Sequence, residues 1–259
     1  MIMGDLEMGT TRSISTRHAH CWIACLLVFA ALDAPALADD KEQAVFDGKD
    51  LNGWRAPTGD WLVVKSVNLD SGDPQKFAPV DGAGVMLNGR GGRTSNILSQ
   101  YEHGDVACRL EFCVPKNSNS GVYFMGRYEI QVFDSWGVDP SKVKHSDCGG
   151  IYERWKDDKG YEGHAPRVNA SKKPGDWQTL EVVFRAPRFD AQGKKIENAR
   201  FVNVVLNGQL IHENVDVTGP TRAATFENDP EAKTGPLMLQ GDHGPVAYRN
   251  IFFKPLELK

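Results

Sequence analysis

Residues 105–114, DVACRLEFCV, change character at every step: Val106, Cys108, Leu110, Phe112 and Val114 fall on one side, and Ala107, Arg109, Glu111 and Cys113 on the other. A period of two is the signature of a strand with one face buried, and it rules out a helix over this stretch. Residues 179–185 (TLEVVFR) repeat the pattern, with Leu180, Val182 and Phe184 inward. Residues 201–206 and 210–215 flank Asn207-Gly208, a dipeptide that accepts the two positive φ angles of a tight hairpin. Further strands are predicted at 61–67, 84–87, 121–124, 128–133, 237–240 and 247–253. Most glycines and prolines fall between these segments, and only a short helical turn is predicted, at 140–144. Many short strands without a long amphipathic helix specify an all-β fold, a sandwich or a barrel, and a two-sheet sandwich is the expected one. Trp54, Trp61 and Trp177, at strand starts among apolar neighbours, read as core, and residues 39–45 as a loose leader.

The N-terminus reads as an export signal. Arg12 and Arg17 precede an unbroken apolar run over 21–32, and Ala36-Leu37-Ala38 follows as a small-x-small cleavage pattern. Twelve apolar residues are too few for a bilayer, which takes about 20. The expected division is a signal peptide over 1–38 and one domain over 39–259, placed in the periplasm or outside the cell. That domain holds 28 Lys/Arg against 31 Asp/Glu, a net charge of −3. Nothing in this balance points to nucleic acid, and no later apolar run points to a membrane span. Three cysteines remain: Cys108, Cys113 and Cys148. Cys108 and Cys113 face opposite sides of one strand and should not pair. The choice lies between a Cys113–Cys148 disulfide and three free thiols.

Residues 127–134 (RYEIQVFD) carry the sharpest polar pattern. Arg127, Glu129 and Gln131 share one face of a strand, with Tyr128, Ile130 and Val132 toward the core. A β-bulge after Gln131 would bring Asp134 to the polar face. Such a row is either a solvated outer face or a site. Asn119 at the start of the neighbouring strand and Trp136 just beyond the row favour a sugar site, where hydroxyls seek hydrogen bonds and ring faces seek a flat apolar surface. His243, in the turn Gln240-Gly-Asp-His-Gly-Pro245, is either a proton-transfer group or a plain surface histidine. Tyr152, after Gly149-Gly150, is either a donor to a sugar oxygen or a core tyrosine. The long segments 135–150 and 153–176 are candidate walls of a cleft. No GxSxG, P-loop or dinucleotide-binding glycine pattern occurs.

The ordered set of motifs VFDGKDLNGW (45–54), NSGVYF (119–124), YEIQVFD (128–134), GIY (150–152), GDWQ (175–178) and GPLMLQ (235–240) resembles the 3-keto-disaccharide hydrolase domain family, of the concanavalin A-like, laminin-G-like sandwich superfamily. The resemblance implies a two-sheet antiparallel jelly-roll-like sandwich and an enzyme that cleaves glycosides oxidised at C3. A ketone at C3 acidifies the C2 proton, so the C1–O1 bond can break by β-elimination, and water then adds to the enone. This needs a base at C2, an acid at O1 and donors at O3. Glu129, Asp134 and His243 are the candidates for acid and base. Arg127, Gln131, Tyr152, Asn119 and Trp136 are candidates for holding the sugar. Ca²⁺ on the Glu129, Gln131 and Asp134 oxygens is an alternative stabiliser of the enolate. Against the sandwich β-glucanases, with Glu-x-Asp-x-x-Glu, this row reads Glu129-x-Gln131-x-x-Asp134, which argues against ordinary two-carboxylate chemistry. The rival reading is a non-catalytic carbohydrate-binding module of laminin-G type.

Overall fold

The computed structural model describes residues 42–259; the apolar run at 21–32 and the cleavage pattern at 36–38 lie outside the described residues. In chain order the strands are β1 (Gln43–Phe46), β2 (Leu62–Leu69), β3 (Phe77–Leu87), β4 (Ile97–His103), β5 (Val106–Cys113), β6 (Asn119–Phe124), β7 (Tyr128–Phe133) and β8 (Arg154–Lys156). They continue as β9 (Lys159–Tyr161), β10 (Gln178–Arg185), β11 (Arg188–Phe189), β12 (Lys195–Glu197), β13 (Ala199–Leu206), β14 (Gln209–Val217), β15 (Gly235–Leu239) and β16 (Ala247–Pro255). The large sheet runs β14-β13-β10-β5-β16-β3-β2, with β1 added beside β16, and the small sheet runs β4-β15-β6-β7. The pairings within both are antiparallel. This is the two-sheet antiparallel sandwich expected, and not the barrel that the strand pattern also allows.

The core follows from the alternation. Val106, Cys108, Leu110 and Phe112 of β5 and Leu180, Val182 and Phe184 of β10 meet Val122 and Phe124 of β6 and Tyr128, Ile130 and Val132 of β7 in one buried cluster. Each such apolar side chain contributes about 2 kcal/mol by leaving water. Cys113 faces the other way, into a second cluster with Val64, Val85 and Leu87. Trp54 and Trp61 are buried as expected, whereas Trp177 is only partly buried and packs on this outer cluster. Asn207 and Gly208, at φ 52° and 78°, close the β13–β14 hairpin.

Two expectations are corrected, one strand goes unpredicted, and one open choice is resolved. The described part of the leader is not loose: Gln43–Phe46 pairs with β16. The strand β4 is absent from the sequence reading because Ser99 and His103 occupy inward positions and break the apolar pattern. Both are satisfied there. Ser99 Oγ donates to Tyr101 O and accepts from Leu237 N, and His103 Nε2 accepts from Met125 N. Of the two cysteine alternatives the structure has the three free thiols: among the described residues there is no disulfide, and Cys108, Cys113 and Cys148 are buried. Cys148 belongs to the inner cluster, whereas Cys113, at the end of β5, belongs to the outer one. Finally, β6 and β7 pair without a shift from Asn119↔Phe133 to Phe124↔Tyr128, so no bulge follows Gln131.

Candidate active site

The side of β7 that faces away from the core is not solvated. Arg127, Glu129 and Gln131 are all buried. Loops cover them. The segment around Gly149–Tyr152 lies along the free edge of β7 like a further strand: Gln131 N donates to Gly150 O, Gly149 N to Gln131 O, and Tyr152 N to Glu129 O. The segment after β14 crosses above, where Thr221 N donates to Arg127 O and Glu129 N donates to Thr221 Oγ1. The two long loops brace each other. Asn169 Nδ2 donates to the Ser135 and Val138 carbonyls, and Ile151 and His164 exchange two main-chain bonds.

Between sheet and loops lies a cavity of about 300 Å³ lined by Asn119, Glu129, Gln131, Tyr152 and His243, joined by Tyr123, Arg222, Ala223 and Gln240. Glu129 is 3% exposed. Its room comes from Gly121 on the neighbouring strand, where a Cβ would stand 2.2 Å from Glu129 Oε1 and 2.7 Å from the Tyr123 ring. Burial pushes the Glu129 carboxyl up to about 8, the negative charge of Asp242 adds to the rise, and the Tyr123 phenol opposes it. At neutral pH this carboxyl keeps its proton. Asn119 Oδ1 and Gln131 Oε1 are buried acceptors without a hydrogen-bond partner. Buried acceptors are rarely left so unless a ligand or water completes them. Burial and then the Glu129 and Glu153 charges raise the Tyr152 phenol, so it remains a donor.

The sequence of a family described as the 3-keto-alpha-glucoside-1,2-lyase-like domain matches residues 41–254. The chain belongs to that family. Among solved structures, it is similar to a candidate glycosyl hydrolase from Parabacteroides distasonis, at 25% identity and a TM-score of 0.62 over 84% of each chain. A second candidate glycosyl hydrolase from that organism shares the fold, at 20% identity and a TM-score of 0.50 over 83% of this chain and 100% of the other. No curated protein matches.

Three of the expected site residues of this family member stand elsewhere. Without the bulge, Asp134 leaves the strand and closes a turn. Its Oδ2 accepts from Asn117 N at 2.9 Å and its Oδ1 from Trp136 N at 3.3 Å. Arg127 spends its guanidinium on the carbonyls of Met125 and Pro230 and lies 5.0 Å from the Phe226 ring, so it pins the covering loop. Trp136 is 60% exposed and does not line the cavity. The oxygen set expected for Ca²⁺ is therefore not brought together. Glu129 and Gln131 remain without Asp134, and the described residues include no cluster of three or more His, Cys, Asp or Glu suited to a metal. Ca²⁺ takes six to eight oxygens, several of them ionised.

The guanidinium that does line the cavity is Arg222, which the sequence reading missed because its loop has no periodicity. It lies 3.9 Å over the Trp155 ring, with Nη1 3.8 Å from Glu153. Glu153 in turn stands 3.3 Å from His145 Nε2. A second cavity, of about 280 Å³, is lined by Arg185, Glu197, Arg200 and Asp216, whose charges pair with one another.

Proposed function

We propose that this chain cleaves glycosides oxidised at C3, by elimination across C1 and C2. One observation carries the reading most: a fully buried carboxyl, poised to hold its proton at neutral pH, in a cavity that offers unpaired acceptors to hydroxyl groups. A glycosidase using two carboxylates needs a second one 5 to 10 Å away, and the cavity lining offers only Glu129.

In this reading His243 removes the C2 proton. The C2–H electrons form the C1=C2 bond as the C1–O1 bond breaks, and Glu129 protonates the departing O1. Charge gathers on O3 in the transition state, where Arg222 and the Tyr152 hydroxyl are the available donors. Donors fixed in advance toward developing charge contribute most to such steps. Asn119 and Gln131 accept from sugar hydroxyls. Water then adds at C1 of the enone, losing a proton to Glu129 while protonated His243 returns one to C2, which gives the free 3-keto sugar, resets both groups and completes net hydrolysis. The export signal read at 1–38 would put this activity outside the cytoplasm.

The test is turnover of an aryl 3-keto-glucoside beside its unoxidised parent, by residues 39–259. The ketone substrate alone should be cleaved, and C2 should acquire deuterium when the reaction runs in D₂O. Glu129→Gln and His243→Ala should each lose about 10²–10⁴-fold in kcat. Because Glu129 acts as an acid, kcat should fall as pH rises through about 8. Equal rates on both substrates would rule the elimination out.

A further inference from the structure

The turn that bears His243 is held more firmly than a surface loop needs to be. Asn88, fully buried, donates through Nδ2 to Gly241 O at 2.9 Å, Gly244 O at 2.7 Å and Gly92 O at 3.1 Å, and accepts from Val246 N at 2.8 Å. One amide side chain thus grips both ends of the turn. The glycines at those ends are pressed against their surroundings. A Cβ on Gly241 would stand 2.4 Å from Ser95 O, and one on Gly244 would stand 2.5 Å from Ser118 Oγ. Between the two pinned ends only Asp242 and His243 are exposed. They are in contact, with Nδ1 of His243 2.6 Å from Oδ1 of Asp242.

We propose that Asp242 is a positioning residue for the chemistry: it keeps the proton of His243 on Nδ1 and so leaves Nε2 as the nitrogen that takes the C2 proton. An ionised carboxylate only accepts, so the short contact requires Nδ1–H as the donor. The same arrangement fixes the histidine base of serine hydrolases, where loss of the partner carboxylate costs catalysis through the wrong tautomer. The inference rests on the reading of His243 as base. Asp242 acts on Glu129 as well, because its charge helps to keep that carboxyl protonated. The other groups facing Glu129 are Tyr123 from β6, Tyr152 from the flanking segment, and Arg222 and His243 across the cavity. One aspartate would thus set the base and the acid in complementary states.

The experiment compares Asp242→Ala, Asp242→Asn, Asp242→Glu and His243→Ala with the parent protein on the aryl 3-keto-glucoside. Asp242 is exposed, so the variants should melt with the parent. Ala and Asn at 242 should lower kcat by about 10–10³-fold with KM within about twofold, and Glu should recover part of the loss. With Ala or Asn the alkaline fall in kcat should move to lower pH, since a negative charge near Glu129 has gone. The ¹⁵N shifts of the His243 ring should report Nδ1–H in the parent and a mixture of tautomers in Asp242→Ala. Wild-type kcat and an unmoved alkaline limb in Asp242→Ala, with His243→Ala impaired, would overturn this proposal alone. Wild-type kcat in His243→Ala would overturn the base assignment and this proposal with it.

Discussion

Glu129 occupies a position that most carboxylates avoid. A polar side chain buried without full pairing costs stability, and here the protonated form limits that cost. Its carboxyl titrates near 8 in the folded protein, against about 4.3 in an unfolded chain. The folded state therefore binds the proton more tightly, and stability is lost as pH rises from about 4.5 through about 8. Glu129→Gln keeps the shape and removes the titration. Thermal melts should show the variant and parent alike near pH 4.5, and the variant more stable at pH 8.5, by a few kcal/mol. An equal difference at both pH values would mean that Glu129 does not titrate in this range. With the expected outcome, the residue proposed for chemistry is one without which the fold is more stable at alkaline pH. Gly121 makes the arrangement possible, since even an alanine there would strike the carboxyl.

Strands transmit these constraints to one another. His103 on β4 receives Met125 N of the β6–β7 turn on Nε2 and lies 2.9 Å from Gly104 O through Nδ1, so it ties the two strand pairs at one end of the small sheet. Burial lowers it to about 4, and burial likewise lowers His212, whose Nε2 lies 2.8 Å from Gly149 O, to about 4. The unfolded chain takes up these protons first, so stability present above pH 6.5 is lost as pH falls toward 4. His103→Gln, with an oxygen that can still accept from Met125, should show a shallower fall of Tm with acid than the parent. Matching slopes would count against His103 as a source of acid lability. Such polar anchors also explain what could be read in advance. The strands β5, β7 and β10 and the Asn207-Gly208 hairpin follow from local pattern alone. β4 does not, because its inward serine and histidine are satisfied only by partners far along the chain. Within the site, alternation correctly groups Glu129 with Gln131. It also groups Arg127 with them, and there it misleads, because the loop over Arg127 supplies carbonyls and a phenyl ring that draw its guanidinium away. Arg222 replaces it in the cavity from a segment with no repeating pattern at all.

The sandwich as an assembly shields its thiols. Burial raises Cys113 to about 12 and Cys148 to about 11, and raises Cys108 still further. A thiol-reactive disulfide reagent should find almost no rapid titre on folded residues 39–259 and three thiols after guanidinium unfolding; a titre of one would reveal a disulfide and contradict the separation of Cys113 from Cys148. Such burial protects the three thiols from mispairing under oxidising conditions. The small sheet has a different consequence. Its strand β7 sends Tyr128, Ile130 and Val132 into the core, and Glu129 and Gln131 into the cavity, in strict turn. A sheet one strand thick is then the only partition between what folds the protein and what would act on a sugar. Substitution on either side can proceed without consulting the other, so specificity is free to drift while the scaffold stays. Insertion or deletion of one residue in this strand enjoys no such freedom, since it would trade the two sides at once. In lineages of this domain, length in β7 should be the slowest character to change, and the loops that roof it the fastest.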